Sequence, residues 1–156
     1  MAEMHIIGQI VSAEGCGGEG MCCKWSLHFG SGWKLLEGLS SGQTQVDTPE
    51  ISDVCNFCHP LDIHLAAKTI QGWPKINLQL YHQDSFGRQE INGYGAIHVP
   101  TTPGEHDIVC PTWRPSGSFR EEEHGGAHHS GMSRIRSLIM MEKEHSTSSS
   151  GVGPVT

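Results

Sequence analysis

The stretch that decides the fold reads Lys75-Ile76-Asn77-Leu78-Gln79-Leu80-Tyr81. Apolar and polar residues alternate there with a period of two, the pattern of a β-strand with one buried and one solvated face. The same alternation occurs in Cys23–Phe29 and in Leu61–Leu65. Weaker strand candidates are Met4–Val11, Thr44–Val46, Tyr94–Val99 and His106–Cys110. The sequence therefore predicts a protein built from short strands.

Turn-forming sequence separates these strand candidates. The chain has 20 glycines and 8 prolines, and the glycine-rich loop Gly15–Gly20 is the clearest break between two strands. Further breaks lie at Gly72–Pro74, Ser85–Arg88 and Pro100–Gly104. Since no helical period lies between the strands, the pattern predicts an all-β fold, an antiparallel β-sandwich rather than βαβ units.

Length and charge limit the classes of function. The 156 residues suit one domain of ordinary size, which can bury a core without staples. The formal net charge of −7 argues against binding to nucleic acid, which needs clustered lysine and arginine. We see no signal peptide at the N-terminus and no apolar run of transmembrane length. We therefore expect a protein of the reducing cytoplasm, with its six cysteines as free thiols.

The character of the sequence changes near Phe119. Three low-complexity segments follow it: the acidic run Glu121–Glu123, the His- and Gly-rich segment His124–Gly131, and the Ser-, Thr- and Gly-rich end Ser146–Thr156. Such composition favours disorder. Between them, Ile135, Leu138 and Ile139 share one face if the segment is helical, although a single short helix is marginal in water.

One motif carries a possible cofactor chemistry. Cys55-Asn56-Phe57-Cys58-His59 matches C-x-x-C-H, the spacing of covalent haem attachment, in which two thiols bond the haem and the histidine ligates iron. The same two cysteines could hold zinc together with Cys22 and Cys23, but adjacent residues of a strand point to opposite faces. Ordinary buried or half-buried thiols are the simpler interpretation, so we expect no cofactor.

The remaining polar patterns give weaker signals. Asp62 and His64 lie two apart on the polar face of a predicted strand, where a metal or acid–base role competes with the simpler interpretation of a solvated face. His124, His128 and His129 could bind metal loosely. The aspartates Asp47, Asp53, Asp84 and Asp107 are scattered singly, so a calcium site is not expected. No familiar nucleophile, zinc-protease or nucleotide-binding motif occurs, and we therefore predict a non-enzymatic protein.

Longer motifs carry a resemblance to a known family. They are His5–Ile10, Cys23–Trp25, Trp33–Leu36, Gly42–Pro49, His59–His64, Gln71–Pro74, Gln83–Arg88, Gly93–Gly95, His98–Pro100 and Cys110–Pro115. In this order, over about residues 1 to 120, the chain resembles the B9-domain family. The resemblance implies a C2-like β-sandwich, no enzymatic activity and no calcium ligands.

The resemblance also implies a cellular role. B9-domain proteins belong to the Meckel syndrome, or tectonic-like, complex of the ciliary transition zone, which limits passage of membrane proteins into the cilium. It supports ciliogenesis and Hedgehog signalling. The partners implied are the first B9 domain-containing protein, the Meckel syndrome type 1 protein, other tectonic-like complex subunits and gamma-tubulin. The localisation implied is the cytoplasm and cytoskeleton, at the centrosome, basal body and transition zone.

The chain departs from the family pattern in two places. The segment before His59-Pro60 reads Cys55-Asn56-Phe57-Cys58 instead of an aromatic–serine stretch, so the haem-like motif is a local accident. The match stops near Ser118-Phe119-Arg120. We therefore expect a B9 domain in residues 1–118 that lacks its last strands, and a divergent tail in 119–156 that is disordered or partly helical. Such a domain would expose a sheet edge.

Two turns are the candidate partner-binding sites. The first holds Asp84, Phe86 and Arg88, and the second holds Trp113 and Arg114. Exposed aromatic and arginine side chains are common anchors of protein interfaces, and the arginines could pair with a partner's carboxylates. Two alternatives remain: a peripheral membrane-binding C2-like module, and a metal- or haem-binding protein that uses Cys55, Cys58 and His59.

Overall fold

The protein is an all-β sandwich in a computed structural model that describes residues 1–16, 20–114 and 134–145. The described residues form nine strands: β1 (Ala2–Glu14), β2 (Gly20–His28), β3 (Trp33–Gly38), β4 (Ser41–Gln43), β5 (Val54–Ala67), β6 (Lys75–Gln83), β7 (Gln89–His98), β8 (Gly104–Pro111) and β9 (Arg134–His145). The described residues form no helix. The predicted fold class, a C2-like antiparallel sandwich, is confirmed in its all-β architecture.

The strands form two sheets. The five-stranded sheet has the order β3-β5-β1-β9-β8, and the four-stranded sheet has the order β4-β2-β6-β7. All the described strand pairs are antiparallel. Long strands lie at the centre of each sheet, and β1, β5, β2 and β6 have neighbours on both sides, which satisfy the backbone polar groups where the strands pair.

The core lies between the sheets and follows the predicted alternation. Cys23, Trp25 and Leu27 of β2 are buried, as are the predicted inward residues of β5 and β6. Those residues are Leu61, Ile63, Leu65, Ile76, Leu78 and Leu80. Strands β1, β5, β6, β7 and β8 overlap the predicted segments. Two details differ: β3 was not predicted, and β4 ends at Gln43, before the predicted strand Thr44–Val46.

Strand β9 overturns the helix predicted for the tail. Ile135, Leu138 and Ile139 lie in a strand that pairs with β1 on one side and with β8 on the other. Ile135 is fully buried opposite Ala13 and Cys110. The period of three and four that suggested a helix is ambiguous in so short a segment, and pairing with two neighbouring strands outweighs it.

The same strand corrects the expectation that the sheet lacks its last strands. Residues beyond 118 form β9, which lies between β1 and β8 and joins these two strands into one five-stranded sheet. An ion pair joins β8 to β9 on the surface, where Arg136 Nε donates to Asp107 Oδ1 over 3.1 Å. This hydrogen bond lowers the pKa of Asp107 below its ordinary value. The predicted disorder of 146–156 and the segment 121–131 lie outside the described residues.

The cysteines also differ from the expectation of six free thiols. A disulfide joins Cys16 to Cys55, whose Cα atoms are 6.5 Å apart, within the normal range for such a bridge. The other four cysteines are free: Cys22, Cys23 and Cys110 are buried, and Cys58 is exposed. Because the first bridged cysteine follows β1 and the second begins β5, the bridge depends on a chain crossing that spacing alone does not reveal.

Candidate partner-binding surface

The turn between β6 and β7 is organised by one carboxylate. Asp84 Oδ1 accepts hydrogen bonds from the backbone N–H groups of Phe86 at 2.9 Å and Arg88 at 2.8 Å. Its Oδ2 accepts a third bond from Arg88 Nε at 2.9 Å. Gly87 occupies the left-handed region at φ +81°, which glycine adopts without strain. Asp84 therefore shapes the turn, and its carboxylate is engaged by hydrogen bonds from Phe86 and Arg88.

This turn presents an aromatic ring and a cation to solvent. The Phe86 side chain is 83% exposed. The Arg88 guanidinium carbon lies 5.6 Å from the Phe86 ring centroid, within the range of a cation–π contact. Because the ring lies at the tip of a hairpin and outside the core, it contributes little to the stability of the fold, and a partner could contact it.

The second turn lies against the free edge of β7. Trp113 forms an isolated bridge with Tyr94, with reciprocal backbone hydrogen bonds of 2.8 Å. The two rings pack with centroids 5.2 Å apart, yet Trp113 remains 60% exposed. Arg114 donates from Nε to Asn92 O at 2.9 Å and from Nη2 to Asn92 Oδ1 at 2.6 Å. These contacts hold both side chains in place at the surface.

Two glycines of β7 let the chain cross between the sheets here. A Cβ on Gly95 would lie 2.8 Å from Cys110 Sγ, and one on Gly93 would lie 3.0 Å from Thr112 Oγ1. The first distance would force Cys110 to shift and the second is tighter than an ordinary contact, so glycine suits both positions. The chain that leaves β8 in the first sheet can therefore reach Tyr94 in the second sheet, which places Trp113 beside β7.

The fold brings the two predicted turns to one edge. From Gln89, at the turn, to Tyr94, at the Trp113 bridge, the path along β7 is about 15 Å at the usual rise of a strand. We name Phe86, Arg88, Trp113 and Arg114 the β7-edge surface. A typical interface of about 800 Å² on each partner covers such a distance.

The other three tryptophans belong to the fold. Trp25 and Trp33 are buried, and Trp33 Nε1 donates to Gln71 O at 3.0 Å. Trp73 packs edge-on against Trp33 with a centroid distance of 5.2 Å, and its Nε1 donates to Val99 O. Trp113 is thus the tryptophan that remains largely at the surface.

Sequence reasoning missed a cluster on the other sheet. Glu3 and His5 of β1 lie beside His64 of β5 on the outer face of the five-stranded sheet, where their ligand atoms are all within 4.8 Å of one another. The sequence indicated only Asp62 and His64. The β1–β5 register, which pairs His5 with His64, decides the composition of the cluster.

A groove lies near this cluster, at the end of the sandwich away from the β6–β7 turn. Its volume is about 550 Å³, and Met1, Met4, Trp33, Ile70 and Trp73 contribute to its wall. Ile70 is 82% exposed at the rim. The groove is mostly apolar, which suits an apolar occupant.

Comparison with known proteins identifies the family. A family model described as "Ciliary basal body-associated, B9 protein" matches residues 4–141. The chain belongs to the B9 family. The match runs through most of β9, beyond the point where the motif resemblance ended, which agrees with the place of that strand in the sheet.

Individual B9 proteins support the assignment. B9 domain-containing protein 2 of mouse (Mus musculus) is 55% identical over 122 residues, 78% of this chain and 70% of that protein. The cattle (Bos taurus) protein of the same name is 50% identical over 148 residues, 87% of this chain and 85% of that protein. B9 domain-containing protein 1 of Xenopus laevis is 34% identical over 121 residues, 75% of this chain and 60% of that protein.

A solved structure supports the fold of the B9 domain. The C2A domain of plant Extended Synaptotagmin 1 superposes with a TM-score of 0.56 at 12% identity, covering 92% of this chain and 95% of that domain. At this identity the likeness concerns the fold alone, and it confirms the C2-like sandwich. The described part of the chain contains no helix, and therefore no helix long and apolar enough to cross a membrane.

The haem-like motif of this B9 protein does not form a site. Cys55 is buried and disulfide-bonded, whereas Cys58 is exposed at φ +45° in a bulge of β5. His59 Nε2 accepts a hydrogen bond from Trp25 Nε1 at 3.1 Å. In the described ranges, the cluster of Glu3, His5 and His64 is the one group whose ligand atoms converge. The metal- or haem-binding alternative on Cys55, Cys58 and His59 is therefore wrong, because the disulfide and the Trp25 hydrogen bond occupy two of its three ligand atoms.

Thiol accessibility in this B9 protein is a direct prediction. Burial raises the pKa of the Cys23 thiol to about 12 and also raises the pKa of Cys22 and Cys110. Since the thiolate is the reactive form, we expect iodoacetamide at pH 8 to alkylate Cys58 at least tenfold faster than these three. Peptide mass spectrometry gives the rate at each site.

Denaturation without reductant supplies the control. Four thiols should then react, and six after reduction, because Cys16 and Cys55 are bridged. Six reactive thiols in the unreduced, denatured protein would show that the bridge does not form. Rapid native alkylation of Cys23 would contradict its burial.

Proposed function

We propose that this B9 protein is a non-enzymatic scaffold subunit of the tectonic-like complex at the ciliary transition zone. In that role it contributes to the diffusion barrier between the ciliary and plasma membranes, to ciliogenesis and to Hedgehog signalling. The observation that carries the proposal is the family match over residues 4–141, whose description names the ciliary basal body. The proposed localisation is the basal body and transition zone, with cytoplasmic and centrosomal pools.

The proposed partners are other B9-domain proteins. The first B9 domain-containing protein and the Meckel syndrome type 1 protein come first, followed by other tectonic-like subunits and gamma-tubulin. The likeness to proteins of both the first and second B9 type supports an assembly built from related sandwiches. Each sandwich would offer an exposed edge to its neighbour.

The β7-edge surface is the proposed contact. It combines two largely exposed aromatic rings with two arginines, and the local bonds of Asp84 and Asn92 hold those arginines in place. Preorganised aromatic and arginine side chains lose little entropy on binding. The arginines would face carboxylates of the partner. Asp84 contributes by holding the turn in shape through its hydrogen bonds to Phe86 and Arg88.

Affinity measurement with purified partners tests this proposal. The double variant Trp113→Ala/Arg114→Glu should weaken binding to the first B9 domain-containing protein by roughly 30-fold, because removing a hot spot costs about 2 kcal/mol. The variant Phe86→Ser/Arg88→Glu should act in the same direction. Biolayer interferometry with the immobilised partner gives each dissociation constant.

The matched control lies at the opposite end of the sandwich. Ile70→Ser/Lys68→Glu changes one exposed apolar and one charged residue there, and binding should stay within about twofold of the unmodified chain. Equal weakening by the control would move the interface away from the β7 edge. If the mouse relative binds both partners and this chain binds neither, the scaffold proposal fails.

A peripheral membrane module is the second candidate function. The exposed Phe86 beside Arg88 at a hairpin tip favours it, since apolar and basic loop tips can insert among lipid headgroups. Sedimentation with vesicles of neutral and anionic phospholipid separates the two functions. Vesicle binding that Phe86→Ser abolishes, without partner binding, would favour the membrane module.

A further inference from the structure

Three metal-binding side chains converge on the outer face of the five-stranded sheet. Strands β1 and β5 pair in a register that sets His5 directly opposite His64, and Glu3 follows on the same face two residues away. His64 Nε2 lies 3.1 Å from Glu3 Oε2. The two imidazole rings stack with centroids 3.8 Å apart and planes inclined by 21°. All three side chains are half-buried, so the protein holds them in place while one side stays open to water.

The donor set has the chemistry of a transition-metal site. Two imidazoles and one carboxylate are ligands that Zn²⁺ uses in open sites, whereas Ca²⁺ and Mg²⁺ prefer oxygen ligands alone. Ligand atoms of a tetrahedral zinc ion lie about 3.4 Å apart, given metal–ligand bonds of about 2.1 Å. The distance of 3.1 Å between His64 Nε2 and Glu3 Oε2 is close to that value, and all the ligand atoms of the three side chains lie within 4.8 Å of one another.

The surrounding charges favour a cation. Glu37 of β3 pairs in register with His64, and Asp62 of β5 lies two residues before it, so both belong to the same face. Lys34, opposite Ala66, is a basic residue farther along that face.

We infer that Glu3, His5 and His64 form a site for a divalent transition metal of the zinc type, which ties β1 to β5. Binding at His64 requires its Nε2 lone pair. The neutral ring then carries its proton on Nδ1, and the Glu3 carboxylate binds the metal beside it. Water completes the coordination shell on the open side. The site is independent of the β7-edge surface, which lies on the other sheet.

Titration of the metal-free chain with Zn²⁺ tests the site. To remove background ligands, the parent protein carries His124→Asn, His128→Asn, His129→Asn and Cys58→Ser. A chromophoric zinc indicator should report one bound equivalent per chain at pH 7.5. His64→Ala and Glu3→Gln should each weaken binding at least tenfold, since each removes one of three ligands. Co²⁺ should give visible absorption bands of low-coordinate geometry, which the same variants remove.

Two matched controls use exposed residues outside the cluster. His98→Gln on β7 and Glu105→Gln on β8 should leave the affinity within twofold. Near-ultraviolet circular dichroism of the metal-free variants should match that of the parent, which establishes that a loss of binding is not a loss of fold. The inference would be overturned if the parent bound no Zn²⁺, or if Glu3→Gln and His64→Ala bound Zn²⁺ as tightly as the parent does.

Discussion

Ile135→Asp should abolish the cooperative unfolding transition of this protein. Ile135 of β9 is 0% exposed, opposite Ala13 of β1 and Cys110 of β8. A buried carboxylate without a partner costs several kcal/mol, which is comparable with the whole stability of a domain at about 5–15 kcal/mol. The milder Ile135→Ala should cost about 2–4 kcal/mol. Urea denaturation followed by tryptophan fluorescence measures both.

The adjacent residue provides the control for β9. Arg136 is exposed, so Arg136→Ala should leave the urea midpoint nearly unchanged, although it breaks the ion pair with Asp107. Removing residues 146–156 should also have little effect, because the truncation leaves β9 intact. If Ile135→Asp left the stability unchanged, β9 would not be a central strand of the sheet, and the segment would be dispensable for the fold.

Trp33→Ala should have the next largest effect, a loss of about 3–5 kcal/mol of stability. Trp33 is 6% exposed, packs edge-on against Trp73 and satisfies the Gln71 carbonyl. Truncation would leave a cavity beside Trp73 and would remove the side-chain donor of the Gln71 carbonyl. Trp113→Ala, at 60% exposure, should cost less than about 1 kcal/mol.

Trp33→Phe controls for the loss of ring volume. It keeps one aromatic ring but loses the indole N–H and part of the ring volume, so its stability should fall between that of the alanine variant and that of the unmodified chain. Equal losses for Trp33→Ala and Trp113→Ala would mean that Trp113 also supports the fold. The β7-edge variants would then need to be judged by stability before binding.

Periodicity explains why much of the fold was predictable. In a strand with one buried face every second residue is apolar, as in Leu61, Ile63 and Leu65. Strands β2, β5 and β6 could therefore be recognised from local sequence. Strand β3 is a short edge strand with mostly exposed residues, so it lacks that alternation. Strand β9 sits among histidine-, glycine- and serine-rich sequence, which obscured it.

The candidate site was only partly predictable for a related reason. Exposed residues in turns could be named from the sequence, and the structure places Phe86 and Trp113 along the same edge. Their proximity depends on the crossing from β8 to β7, which the close approach at Gly93 and Gly95 permits. Pairings between distant segments are non-local, and no short window of sequence contains them.

The sequence by itself determined the strand-rich character of the chain, the inward faces of its long strands and its resemblance to the B9 family. Tertiary structure alone decided that β9 closes the sheet between β1 and β8, that Cys16 meets Cys55, and that Glu3, His5 and His64 meet on one face. The physical reason is register. Side-chain alternation sets which face a residue takes, but only the pairing of strands sets which residues become neighbours. A slip of one residue in the register would move every side chain of the strand to the opposite face.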